Sequence, residues 1–185
     1  MEQTTVSEQF TRLDKFILQM ANTDSGLTTT FLYEDDSARK SCRELYEHVT
    51  ASHPNIRPTW WKISDLVAPG VLAGAVSTAI RADIVVVSAG GAEGLPLPFY
   101  VWVNSWLTNR VGSVGAVVAL LGNWHHNGSQ TGRVEKYLQA VAQNARMTFF
   151  CERHSFARTN GTAVKRVNGS RVALRRFALP NSAAA

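Results

Sequence analysis

No apolar run in this chain approaches the ~20 residues that a membrane-spanning helix needs, so no membrane partner is expected. The opening residues, MEQTTVSEQF, hold no basic segment followed by an apolar one, and no secretory signal is visible. Cysteine is scarce. Cys42 and Cys151 lie far apart, in no metal-binding or redox spacing. Without export both read as reduced, buried thiols of a cytoplasmic protein. The Asn-X-Ser/Thr triplets at Asn127, Asn160 and Asn168 then mean only turns. Acid is missing from Ser155 onward, where Arg158, Lys165, Arg166, Arg171, Arg175 and Arg176 stand alone. The net charge of +5 therefore sits in the tail, and the body is close to neutral.

What is present suits one globular domain with appendages: 185 residues, 45% apolar and 18% charged. The chain turns on Ala82 to Pro98, ADIVVVSAGGAEGLPLP. Ile84 to Val87 is short, β-branched and continuously apolar, which is the pattern of a strand buried on both faces of a parallel sheet. It breaks at Ser88 into a loop with Gly90, Gly91 and Gly94. Open α/β sheets keep their ligands in such loops, at the carboxyl ends of central strands.

Around that strand the chain alternates. Ser7 caps an expected helix over Glu8 to Asn22, with Phe10, Leu13, Phe16, Ile17 and Met20 on one face. The pattern fits packing on its own domain, or docking on a partner. Leu27 to Tyr33 reads as the first strand. Asp36 is the expected N-cap of a helix over Ser37 to Ser52, with Ala38, Cys42, Leu45 and Val49 buried. Ile56 to Ile63 reads as a second strand, and Pro58 puts it at an edge. Trp60 and Trp61 then point to opposite faces, one into the core and the other under the amino-terminal helix or a partner. A helix rich in small residues (Ala73, Gly74, Ala75, Ala79) spans about Ala68 to Ile80. Another follows from Leu97 to Thr108, with Phe99, Val103, Trp106 and Leu107 inward. Ala116 to Leu121 is a second continuously apolar strand. Gly122 to Gly132 reads as a polar loop. A helix from Thr131 or Gly132 to Ala145 buries Val134, Tyr137, Leu138 and Val141, and Met147 to Cys151 closes the sheet.

Helices between strands imply parallel pairing and right-handed crossovers. The expectation is an α/β domain over 27–154: a five-stranded parallel sheet in a three-layer, flavodoxin-like sandwich of order 2-1-3-4-5. A Rossmann-type order is the alternative. An extension with the amphipathic helix occupies 1–26. The basic extension occupies 155–185, and Asn168-Gly169 within it signals a hairpin turn.

That order gathers Glu34, Asp35 and Asp36 after strand one, Ser88, Gly90 and Gly91 after strand three, and Asn123, His125 and His126 after strand four. These are the candidate ligand-binding residues. Glu34, Asp35 and Asp36 offer the clustered oxygens that a divalent cation takes, whereas zinc would want His125, His126, Cys151 or His154. SAGGAEG matches neither G-x-G-x-x-G nor the P-loop, though its amides suit an anion nest. A flavin phosphate is disfavoured, because three acids stand where flavodoxins carry a hydroxyl- and glycine-rich cradle. Ser88 in SAGG is not in G-x-S-x-G, and Cys151 is not placed on His154 for nucleophilic catalysis.

The acidic trio and the run ADIVVVS resemble the receiver domains of bacterial response regulators, in an element order covering about 27 to 152. At the position of the receiver's phosphate-accepting aspartate stands Ser88. Gly122 or Asn123 replaces its hydroxyl residue, and Cys151 and Glu152 stand at its lysine. The resemblance thus implies a receiver-like regulatory, signalling or protein-interaction module without phosphoryl transfer. The chain also resembles a group of small bacterial α/β proteins, through FLYEDDSARKSCRELYEHV, WWKISDL and ADIVVVSAGG followed by LPLPFYVWVNSWL. That likeness spans most of 27 to 121 and implies no activity.

The reading is therefore a non-catalytic module with a protein partner or self-association. One alternative is a small-molecule- or metal-dependent enzyme at the carboxyl edge of the sheet. A second is nucleic-acid association through the basic tail, whose six cations would give salt-sensitive, nonspecific affinity.

Overall fold

The run Ile84–Ala89 lies where its composition puts it, fully buried in the middle of the sheet. The computed structural model describes residues 6–20, 26–90, 94–110, 114–122 and 128–154. Strands β1 (Leu27–Tyr33), β2 (Ile56–Lys62), β3 (Ile84–Ala89), β4 (Ala116–Gly122) and β5 (Thr148–His154) pair in parallel in the order β2-β1-β3-β4-β5. This is the expected flavodoxin-like order, and it rules out the Rossmann-type alternative. Every residue of β3 and β4 is buried, as strands covered on both faces must be. Edge strand β2 is only half-buried, and Pro58 is tolerated there because it pairs on one side only.

Helices α3 (Pro69–Arg81), α4 (Leu97–Leu107) and α5 (Gly128–Asn144) cover one face of the sheet. Their core includes Leu66, Ala75, Ala79, Phe99, Trp102, Trp106 and Leu138, packed on Leu32, Val85, Val87 and Leu121. Helices α1 (Val6–Met20) and α2 (Asp36–Ser52) cover the other face. There Leu13, Ile17, Cys42, Leu45 and Val49 pack on Phe31, Ile84, Val86, Val118 and Leu120. Among the described residues no helix follows β5. Its share of that face is covered by α1, whose Phe16 meets Phe150 of β5 edge-on at 5.6 Å. The amphipathic stripe read from the sequence thus packs on its own domain.

Several details differ from the sequence reading. Asp35, not Asp36, is the N-cap of α2: its Oδ1 accepts from the Ala38 amide at 2.8 Å, and Asp36 already lies in the first turn. A short 3₁₀ turn, Ile63–Val67, intervenes between β2 and α3 and buries Ile63 and Leu66. Helix α5 starts at Gly128, earlier than Thr131. Trp102 is fully buried, whereas Leu107 is only partly so. Both tryptophans of β2 are half-buried on opposite faces. Trp60 stacks on Phe31 at 4.3 Å and meets Tyr46 of α2, not the amino-terminal helix. Trp61 lies on the α3 side, where its Nε1 donates to Thr78 Oγ1 at 3.0 Å. A Cβ on Gly74 would come within 2.8 Å of the Trp61 ring, so the small residue lets helix and ring pack closely. The tail and its expected hairpin lie outside the described residues.

Candidate functional site

The carboxyl edge gathers the acids as expected, but they face the protein's own backbone. Where β1 ends, the Glu34 amide donates to the Ser88 carbonyl at 3.1 Å. The Glu34 carboxylate turns back and accepts from the Gly90 amide at 2.9 Å. That contact joins the ends of β1 and β3. Asp35 is committed to the first turn of α2 through Ala38. Asp36 is exposed beside it, where a negative charge suits the positive end of the helix dipole. Arg39 lies over the ring of Tyr33, 5.6 Å from its centroid, and puts a cation on the same rim.

Ser88 does not line this rim. It is fully buried, and its side chain lies beside the Cys42 thiol of α2. Its hydroxyl has no hydrogen-bond partner among the described residues. Sealed under a helix, this hydroxyl is not presented to solvent at the carboxyl edge. Burial pushes the Cys42 thiol up to about 12, against a smaller lowering by the neighbouring Ser88 hydroxyl, so it stays protonated and inert. Cys151 behaves alike. Burial first, then the charge of Glu135, pushes it up to about 12. Glu135 itself pairs with Arg153 at 2.7 Å across α5 and β5. Ser88, Leu120 and Glu152 occupy one row of the sheet, so buried Glu152 lies two strands from Ser88 on the same face. Gly91, Asn123, His125 and His126 lie outside the described residues. Among those described, no three His, Cys, Asp or Glu side chains are grouped to hold a metal ion.

A flavin phosphate does not fit the described residues of this edge. The amides that would cradle its phosphate, at the start of α2 and at Gly90, already serve Asp35 and Glu34. A phosphate placed there would meet carboxylates.

The amino edge holds a cation that the sequence reading did not single out. Arg110 is buried, and its Nη1 donates to the carbonyls of Ala79 at 3.1 Å and Ala82 at 2.7 Å, capping the end of α3. Burial lowers its pKa, and Asp83 opposes the shift. Asp83 Oδ2 in turn accepts from the Thr28 amide at 2.8 Å. Gly115 leaves room for this cluster: a Cβ there would lie 2.7 Å from Arg110 Nη2 and 2.7 Å from the Asp83 carbonyl. The only hint in the sequence is that Arg110 ends a long stretch without charge.

That stretch leads to the second region of interest. No charged residue lies between Asp65 and Arg81, nor between Glu93 and Arg110. The two segments include the end of the 3₁₀ turn after Asp65, nearly all of α3, and α4, and the two helices pack side by side. Their outer surface keeps Val67 71% exposed, Leu97 75% and Val101 43%. Pro69, Gly70 and Ala73 are exposed on the same side of the sheet. Surface helices ordinarily carry charge on their outer face.

No family model and no curated protein matches the sequence. Among solved structures the chain is similar to a flavodoxin of Streptococcus pneumonia TIGR4, at 13% identity and a TM-score of 0.43 over 70% of this chain and 86% of that one. It is also similar to the Trp repressor binding protein of Bacillus subtilis, at 6% identity and a TM-score of 0.41 over 70% of this chain and 85% of that one.

Proposed function

We propose that this chain is a non-catalytic protein-interaction module that works through the outer face of α3 and α4. The carrying observation is an uncharged surface spanning two neighbouring helices, with Val67, Leu97 and Val101 held in solvent. Contiguous exposed apolar surface on a folded domain marks a contact site. The state of the carboxyl edge supports the same reading, because Glu34 and Asp35 spend oxygens on internal amides and Ser88 is sealed under α2. A regulatory role of the receiver kind is compatible with such a module, but without phosphate chemistry at Ser88.

The test compares the two regions in the cell. Leu97→Asp combined with Val101→Asp should abolish function while leaving the purified protein folded. Glu34→Gln combined with Asp36→Ala should leave function intact. The reverse pattern sinks the proposal. If Mg²⁺, Mn²⁺ or Zn²⁺ also raises the melting temperature, and Asp36→Ala removes the rise, the metal-dependent reading takes its place. Retention on heparin that disappears on deleting residues 155–185 would point to the tail and nucleic acid instead.

A further inference from the structure

The amino edge of the sheet collects charge of one sign from distant parts of the chain. One row of the sheet runs through Arg57, Thr28, Asp83, Gly115 and Met147, from β2 across to β5. Arg57 stands in the row itself. Arg81 ends α3 two residues before Asp83, and Arg146 joins α5 to β5 next to Met147. All three arginines are exposed, and none of their guanidinium groups has a hydrogen-bonding or ionic partner among the described residues. Arg110 lies behind them beside Gly115, with Nε and Nη2 unpartnered. Among the described residues of the strand starts and last helical turns the one acid is Asp83. Its Oδ2 is already held by the amide and the hydroxyl of Thr28, each at 2.8 Å.

Arg146 is kept on this edge at a cost. Its φ of 56° lies in the left-handed region. The Arg146 amide donates to the Gln143 carbonyl at 3.1 Å and the Met147 amide to the Ala142 carbonyl at 2.8 Å. That is the helix ending in which glycine is the usual residue. A side chain there strains the backbone, and such strain persists where something else requires the residue. The helix dipole does not require it. A cation at exposed Gln143 or Asn144 would serve the end of α5 without strain.

We propose that this edge grips the phosphate backbone of a nucleic acid. The surface is separate from the outer face of α3 and α4, and either can exist without the other. Its shape excludes a lone oxyanion, which needs donors that converge. Arg57 belongs to β2, Arg81 leads into β3 and Arg146 into β5, so successive arginines are two strands apart, roughly 10 Å. Cations spaced evenly along an edge fit a chain of repeating negative charge. All three are arginine, whose planar fork takes two oxygens of one phosphate. Exposed Ser52, Asn55, Thr108 and Asn109 lie at the same end of the domain and are residue types that donate to phosphate and sugar. None of this reads bases, so binding is insensitive to sequence and falls steeply with salt.

Fluorescence anisotropy of the full chain tests this, with a labelled single strand of about 20 nucleotides and a duplex of the same length, over a salt series from about 50 mM. The wild type should bind, and the two arms show which form of backbone the edge prefers. On the single strand each lost phosphate contact takes about 0.7 from the slope of log affinity against log salt, so Arg57→Gln, Arg81→Gln and Arg146→Gln together should take about 2. Removing three charges elsewhere, by Arg12→Gln, Lys15→Gln and Arg43→Gln on α1 and α2, should leave the slope unchanged. Arg146→Gly should raise the melting temperature and yet weaken binding, which a purely structural arginine would not do. Circular dichroism checks that each variant is folded. A wild type that binds neither probe at low salt overturns the proposal. So does an edge variant with the wild-type slope, or a control variant that loses as much. An Arg146→Gly chain that is more stable and binds as the wild type does counts against it. Poly-glutamate that displaces the single strand at equal charge would make the partner an acidic protein and overturn the nucleic acid.

Discussion

The two helical layers bury the same kind of core and show water opposite surfaces. The α2 surface alternates Arg39, Lys40, Arg43, Glu44, Glu47 and His48, with Lys40 and Glu44 paired across one turn at 3.8 Å. The α3–α4 surface carries no charged residue between Asp65 and Arg81 or between Glu93 and Arg110, and Arg110 itself is buried. Inner faces do not distinguish the layers, since Leu45, Val49 and Ile17 are as buried on one side as Phe99, Trp102 and Trp106 on the other. Inner faces answer to the sheet, and any apolar residue of the right size serves there. Outer faces answer to whatever lies beyond the domain. The difference between them is therefore the more informative part of the molecule about function.

The contrast breaks most sharply within α4. Phe99→Ala empties a fully buried ring position and should lower unfolding stability by about 3–5 kcal/mol. Two residues along, the exposed Val101→Asp should change monomer stability by no more than about 0.5 kcal/mol. Urea denaturation of dilute protein measures both. If Val101→Asp proves as damaging as Phe99→Ala, the outer face is part of the core and the proposed contact surface is gone.

Alkaline pH probes one thiol in each layer. Cys42 and Cys151 have folded values raised to about 12, so each favours the unfolded chain once the pH is high enough for an unfolded thiol to ionise. Below about pH 8.5 both thiols are protonated in either state, and this contribution is fully present and constant. As pH rises from there toward about 12, stability is lost at up to about 1.4 kcal/mol per pH unit for each thiol. Cys42→Ala should remove one such slope and Cys151→Ala the other, read as the pH dependence of the urea midpoint. Slopes that neither variant alters would show that the thiols are not sheltered as described. A chromogenic disulfide should also leave Cys42 unmodified in the native protein.

The smallest effect concerns the acidic rim. Asp35→Ala removes the N-cap of α2 and should cost about 1 kcal/mol. Asp36→Ala, with no cap to lose, should cost no more than about 0.5 kcal/mol. Equal losses would mean that the cap is shared. Thermal melts at fixed pH distinguish the two.

The acids were legible as acids in a loop after a strand, but not their use. A capping oxygen and a metal-binding oxygen are the same atom in a sequence. Glu34 meets Gly90 only because β1 and β3 are neighbours in the sheet, across more than fifty residues of chain. Ser88 reads as a rim residue because it follows an apolar run. The strand runs on through it to Ala89, and the alternation of side chains turns it under α2. Arg110 was overlooked because a charged residue is exposed by default, and only the last turn of α3 and its C-cap Ala82 supply the carbonyls that offset its burial. The uncharged stretches were visible in the chain. That they lie side by side on one face was not.

Sequence alone determined the strands and the rough extent of each helix, and narrowed the sheet to two orders, because continuous β-branched runs and helical spacing are local properties of a chain. It also showed which stretches of the chain carry no charge. Tertiary structure decided which residues share a face, which oxygens are already occupied and which helix covers β5. Those depend on contacts between segments far apart in the chain, where burial and hydrogen bonding are settled by neighbours that no local pattern names.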